Sequence, residues 1–443
     1  MESPLTRREA LGAIGGAGAA GLAGCFDLLA DDPQRLEGWP SYRYDAANSG
    51  RNPDATGPKA DLEIAWQQDL EPPDDGVPIE LSSPIVLGDR VIVAFDFDRG
   101  VSRETHVIAV DRETGERDWA ETVELAPGGS NEAVAMPSQT LESDGVAVYL
   151  VTLDGGPTLR ALDPATGDER WNASIERQLY SPPTADGGSL YAGERTYAVF
   201  DTDDGDLERR YEWERDGSVR RLTSEFPPTV TEDAVYAGVA DTLRATDRAD
   251  GSPLWTAESP FDSRVDDGGT PFNPPVVGDD VVYAVASDSV RADTGGGIVA
   301  LSAADGDQLW SFLPDGAESD TEGRRPSEVR SGMAGLPLVF EETDTICAIG
   351  TERGERTCFG LAAEDGTVRW DLEGAGGLVP VAADGVVYTF GGDGIVAIDH
   401  TDGSTIGTGE IDLDERTHIA HTPAIVDDHL YVNTSEGAVA IGP

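Results

Sequence analysis

An aspartate, a glycine four residues later and a tryptophan four residues after that form a unit that recurs along this sequence and constrains its fold more than any other feature. Complete copies are Asp111, Gly115, Trp119; Asp163, Gly167, Trp171; and Asp247, Gly251, Trp255. Gly306 with Trp310 and Gly366 with Trp370 keep the last two residues behind Ser302 and Ala362. Asp201 with Gly205 and Asp399 with Gly403 keep the first two. Seven copies spaced 37 to 60 residues apart mark a repeat architecture.

Each copy reads as a β-hairpin. The run before the aspartate, as in "HVIAVD" or "GIVAID", alternates apolar and polar residues with the period of a half-buried strand. Aspartate opens a turn by accepting backbone N–H groups, and glycine supplies the positive φ that closes it. The tryptophan in the returning strand offers a broad flat surface to a neighbour. Upstream of each hairpin lies a second pair of strands led by proline or a small residue, as in "SSPIVLGDRVIVAF", "FPPTVTEDAVYAGV" and "FNPPVVGDDVVYAVA". Four strands per repeat are the blade of a β-propeller.

Seven complete units run from about Leu81 to about Gly409, and "TPAIVDDHLYVNTSEGAVAIGP" begins an eighth that stops after three strands. The missing strand is expected in "LEIAWQQDL", Leu62 to Leu70, whose Trp66 has no hairpin of its own. The expected fold is therefore all-β: an eight-bladed propeller of four-stranded antiparallel blades over residues 59–443, closed by an N-terminal strand. Such closure removes the open sheet edge that invites aggregation.

The "AxDxxTGxxxW" unit resembles the repeat of pyrroloquinoline-quinone (PQQ) propellers, shared by quinoprotein alcohol dehydrogenases and BamB-type outer-membrane assembly lipoproteins. The resemblance spans about Trp39 to Pro443 and includes the lead-in "GWPSYRYDAANSG". It implies the propeller, but this repeat serves enzymes and scaffolds alike. In the resembling enzymes PQQ lies on the ring axis with calcium, a catalytic aspartate and a disulfide between adjacent cysteines. Here Cys347 and Cys358 are eleven residues apart, and no CxxCH haem site exists. The two cysteines face each other across a hairpin as either a disulfide or two buried thiols.

The formal charge of −53, with 84 acidic against 31 basic residues and a single lysine, Lys59, excludes nucleic acid as a partner class. Acids spread through patterned strands and turns point to adaptation to high salt, as in a halophilic archaeon. Residues 1–24 read as a twin-arginine lipoprotein signal: Arg7 and Arg8 precede a Gly- and Ala-rich segment too short to span a bilayer. The segment ends in "LAGC", which makes Cys25 the expected lipidation site and the outer face of the cytoplasmic membrane the expected location. Residues 25–58, rich in Pro, Asp and Asn, are expected to be a tether and lead-in.

No metal site stands out, since His418 and His421 would point to opposite faces of an extended strand. Connections after the second and fourth strands of a blade are often long, and in an antiparallel blade both emerge on one face. They carry arginines, notably Arg220, Arg221, Arg324 and Arg325, which either grip an anionic partner or pair with neighbouring acids. Two functions follow. One is a non-catalytic, lipid-anchored, monomeric scaffold that binds a surface protein or glycan and needs no cofactor. The other is a PQQ- and calcium-dependent dehydrogenase. Cysteine spacing and the missing haem site favour the first.

Overall fold

The computed structural model describes residues 36–59, 62–69, 77–98, 103–125, 141–152, 158–175, 183–193, 197–211, 227–239, 241–261, 272–287, 296–315, 331–377, 379–391, 394–410, 422–434 and 436–443. They build eight sheets, each with a core of four antiparallel strands. Blades 1 to 7 occupy residues 85–125, 142–174, 184–210, 229–258, 276–312, 332–373 and 381–410. Blade 8 combines residues 424–442 with the strand Glu63–Asp69. The all-β propeller expected from the repeat is the fold found.

Closure has the register of an ordinary blade. In blades 1, 2, 4 and 5 the tryptophan lies opposite an alanine of the third strand, at Trp119 and Ala109, Trp171 and Ala161, Trp255 and Ala245, and Trp310 and Ala300. Trp66 lies opposite Ala440 in the same way, so Glu63–Asp69 is the fourth strand of blade 8. Only a small residue fits there. In blade 6 the facing residue is Gly360, where any Cβ would run into the Trp370 indole.

The Asp–Gly turn and the tryptophan belong to one lock between neighbouring blades. In blade 1, Asp111 Oδ1 accepts from the N–H groups of Glu113 and Thr114, and the Gly115 N–H returns to the Asp111 carbonyl. Gly115 has φ +71°, a region that suits glycine, and a Cβ there would lie 2.7 Å from the Trp66 ring of blade 8. Each tryptophan also donates its indole N–H to the next blade's turn: Trp66 to the Arg112 carbonyl at 2.9 Å, Trp171 to Thr202 at 2.9 Å and Trp310 to Ala363 at 2.8 Å. Blade 3 departs from the fixed spacing. It carries Arg209 where tryptophan is expected, and Tyr211, two residues on, covers Gly251 and donates to the Arg248 carbonyl at 2.9 Å.

Two blades carry extra strands. Val77–Leu81 pairs with the second strand of blade 1, and Gly38–Trp39 pairs with its first strand. Arg51–Asn52 pairs, parallel, with the first strand of blade 7. Of residues 25–58, expected as a tether and lead-in, 36–58 are described. From Leu36 onward the segment is packed into the ring, with Trp39 and Arg43 fully buried. Aromatic side chains at 39, 42 and 44 have more apolar surface than a solvated linker can leave exposed.

Candidate functional site

First strands of the blades surround the ring axis, and residues 38–52 fill it as a hairpin. Gly38–Trp39 runs antiparallel to Ile85–Leu87 of blade 1, whereas Arg51–Asn52 runs parallel to Val381–Ala383 of blade 7. The segment therefore enters from the face of the tight turns, reverses, and leaves by the same face. Its entry is fixed by Leu36 N–H on the Gly145 carbonyl and by Gly88 N–H on the Glu37 carbonyl, in the first turns of blades 2 and 1. Its exit is fixed by the N–H groups of Thr56 and Gly57 on the Asp427 carbonyl of blade 8.

Inside the ring the hairpin's polar groups meet main-chain acceptors. Arg43 donates Nη1 and Nη2 to the Pro337 carbonyl of blade 6, at 3.1 and 3.0 Å, and Nη2 to the Pro380 carbonyl of blade 7 at 3.2 Å. Burial pulls its pKa down to about 10, opposed by Tyr42 and Asp45, so the guanidinium stays charged at neutral pH. Asn48 donates to Thr229 Oγ1 at 3.0 Å, and Thr229 donates to the Pro275 carbonyl at 2.6 Å. Thr184 reaches the Pro228 carbonyl at 2.7 Å, and Asn273 the Gly335 carbonyl at 3.0 Å. The prolines that open each repeat thus supply carbonyls for bonds running from blade to blade around the axis.

Glu142 is the acid of this ring. It stands in the first strand of blade 2, where Val276, Val381 and Ala424 stand in blades 5, 7 and 8. It accepts from the N–H groups of Ala185 and Tyr42. Burial raises its pKa well above the carboxylate range; the two N–H groups oppose this, and the negative Asp144 and Asp45 add to it. A folded-state pKa above the unfolded value means that the native protein holds a proton the unfolded chain releases. Stability from this group is complete at low pH and is lost as pH rises from the unfolded value, 4.5, through the raised one. Glu142→Gln should flatten the fall in melting temperature between acid and neutral pH; parallel curves for the two proteins would contradict this.

PQQ and calcium at this axis would need free donors and carboxylates. The described residues fit them poorly: the carboxylates there, Glu142 and Asp45, already accept from N–H groups, Asn273 and the Arg43 Nη groups are held by carbonyls, Asn48 by Thr229, and the unpartnered donors Trp39 Nε1, Ser41 Oγ and Arg43 Nε are buried. Among the described residues no three His, Cys, Asp or Glu side chains are grouped to hold a metal ion.

Cys347 and Cys358 are free, buried thiols rather than a cross-strand disulfide. Register is the reason, since Cys347 faces Gly360 and Cys358 faces Ile349, two positions out of step. Burial pushes the Cys358 thiol up to about 12 and that of Cys347 well above its ordinary value. Cys25, His418, His421, Arg220, Arg221, Arg324 and Arg325 lie outside the described residues. The axial roles of Arg43 and Glu142 escaped the repeat reading. Three aromatics and an Asn-Ser-Gly turn within "GWPSYRYDAANSG", and an acid at an apolar strand position, were the signals available.

Ring, lock and repeat together define a PQQ-type β-propeller. The family model described as outer membrane protein assembly factor BamB matches residues 58–156 and 140–297, more than half of the sequence, and the chain belongs to that family. No curated protein matches the sequence. Among solved structures, BamB from Moraxella catarrhalis is similar at 18% identity and TM-score 0.54, over 85% of this chain and 99% of that one. Quinohemoprotein alcohol dehydrogenase from Comamonas testosteroni is similar at 13% identity and TM-score 0.61, over 93% and 81%. The computationally designed Ika8 protein is similar at 14% identity and TM-score 0.54, over 87% and 100%. An assembly factor, an enzyme and a designed protein are all similar to this chain, so these likenesses carry the fold alone.

Proposed function

We propose that the protein is a non-catalytic binding scaffold, held at the outer face of the cytoplasmic membrane by a lipid on Cys25 after twin-arginine export. The supporting observation is the axial hairpin: its own residues occupy the place a cofactor would take, and the Arg43 Nη groups and the Asn48 amide are bonded to the surrounding blades. Binding then falls to the opposite face, where the long connections emerge and where the sequence places Arg220, Arg221, Arg324 and Arg325. The partner class is an anionic surface protein or glycan, gripped by guanidinium forks on an otherwise acidic molecule.

Replacing those four arginines together with serine tests this. All four sit in connections between blades, so the melting temperature should stay within about 2 °C of wild type, as for surface changes away from packed contacts. Capture of the partner that co-purifies with the wild type should fall at least about tenfold, the equivalent of 1.4 kcal/mol. An unchanged set of captured partners would overturn the assignment of this face. Saturable, stoichiometric binding of PQQ with calcium would overturn the non-catalytic reading.

A further inference from the structure

Seven of the eight junctions between blades carry an aromatic side chain seated on a turn glycine. Trp66, Trp119, Trp171, Tyr211, Trp255, Trp310 and Trp370 cover Gly115, Gly167, Gly205, Gly251, Gly306, Gly366 and Gly403, from the junction of blades 8 and 1 round to that of blades 6 and 7. Among the described residues only the junction of blades 7 and 8 lacks this lock, and the reason is topological. Closing blade 8 with Glu63–Asp69 places a chain interruption where its third-to-fourth turn would be, between Gly442 and Glu63. No glycine turn exists there to receive a tryptophan. Blade 7 carries Gly407, opposite Ala397, in the tryptophan position.

Residues 52–59 and Leu62 make the contacts across this junction instead. Asn52 belongs to the strand paired with blade 7 and donates Nδ2 to the Ile425 carbonyl of blade 8 at 2.8 Å. Thr56 and Gly57 donate to the Asp427 carbonyl of blade 8, while the Gly57 backbone lies against the Tyr388 hydroxyl of blade 7. Tyrosines at the same place in other blades, Tyr149, Tyr236, Tyr283 and Tyr431, have a tryptophan ring of their own blade beside them. Lys59 pairs with Asp384 of blade 7 at 2.5 Å, and buried Leu62 presses its backbone onto Gly409 of the same blade just before entering blade 8.

We propose that the junction of blades 7 and 8 is the seam at which the ring opens, and that residues 52–59 with Leu62 are the strap that holds it shut. Hydrogen bonds, one exposed ion pair and the buried side chains of Ala55 and Leu62 stand there in place of an indole, so the seam depends on a segment that can peel from the tight-turn face. The ring is held firmly around seven junctions and opens at one, so the two blades beside the seam are the first to loosen.

Native-state hydrogen exchange followed by mass spectrometry on the intact protein, during stepwise dilution from molar salt, reads the order of opening. Peptides covering 381–410 and 422–443 should lose protection at least about tenfold faster than the matching strands of blades 2 to 5, as the least stable cooperative unit. The double variant Asn52→Ala, Leu62→Ala should widen that gap about tenfold further and leave blades 2 to 5 unchanged. Trp171→Ala should move the first opening to blades 2 and 3. Wild-type protein in which blades 7 and 8 open no earlier than the others would overturn the proposal, even if the double variant fails to fold. A double variant whose exchange rises equally around the ring would overturn the strap.

Discussion

Deleting residues 59–71 should abolish cooperative unfolding of the ring and send the protein into aggregates, measured by calorimetry and light scattering at matched molar salt. The deletion removes the fourth strand of blade 8 and leaves Gly437–Gly442, buried along its whole length, as a bare edge ready to pair with another chain. It removes the half-buried Trp66 from its seat on Gly115 and its indole N–H from the Arg112 carbonyl. It also removes Lys59 and Leu62 from the one junction without an aromatic lock. Against a total stability of about 5–15 kcal/mol these losses leave little margin. A truncated protein that melted with the wild type would show that Glu63–Asp69 is dispensable.

Dilution from about 2 M to about 0.1 M salt should lower the melting temperature by more than about 10 °C, because the screening length grows from a few ångströms to about 10 Å. The tight turns show why. In blade 3 one turn carries Asp201, Asp203, Asp204 and Asp206 within six residues, and the turns of blades 4, 5 and 8 add Asp247 and Asp250, Asp305 and Asp307, and Asp427 and Asp428. Many of these acids accept local N–H groups, as Asp201 does from Asp203 and Asp305 from Asp307, which holds them in place without neutralising them. The 31 basic residues, all but Lys59 arginine, are far too few to offset 84 acids. A melting temperature independent of salt would contradict the high-salt reading.

How far the fold could be read from the residues depended on what repeats. Asp, Gly and Trp at fixed offsets report a turn seven times over, which is why blade number and the closing strand around Trp66 could be anticipated. Tyr211 escaped because its lock works from a position two residues off the pattern. The axial hairpin escaped for a different reason: it occurs once, its polar residues look solvated in sequence, and their partners are backbone carbonyls up to 337 residues away, as between Arg43 and Pro380. Periodicity says nothing about such pairings. Cys347 and Cys358 show the same limit, since a hairpin can be inferred from its two strands while a diagonal and a direct pairing differ by two residues of register.

Blade 8 also sets an order of events in the cell. Glu63–Asp69 leaves the ribosome early, yet its partner Gly437–Gly442 follows only after seven other blades have been synthesised. Until then a nascent chain carries an unpaired strand at one end and a growing stack of blades at the other. Contacts this distant in sequence form slowly and expose sticky edges while they wait. A chain cut short anywhere before Gly437 cannot complete the circle, so the closing strand distinguishes finished from unfinished product, and any factor that recognises a free Trp66 would read synthesis itself.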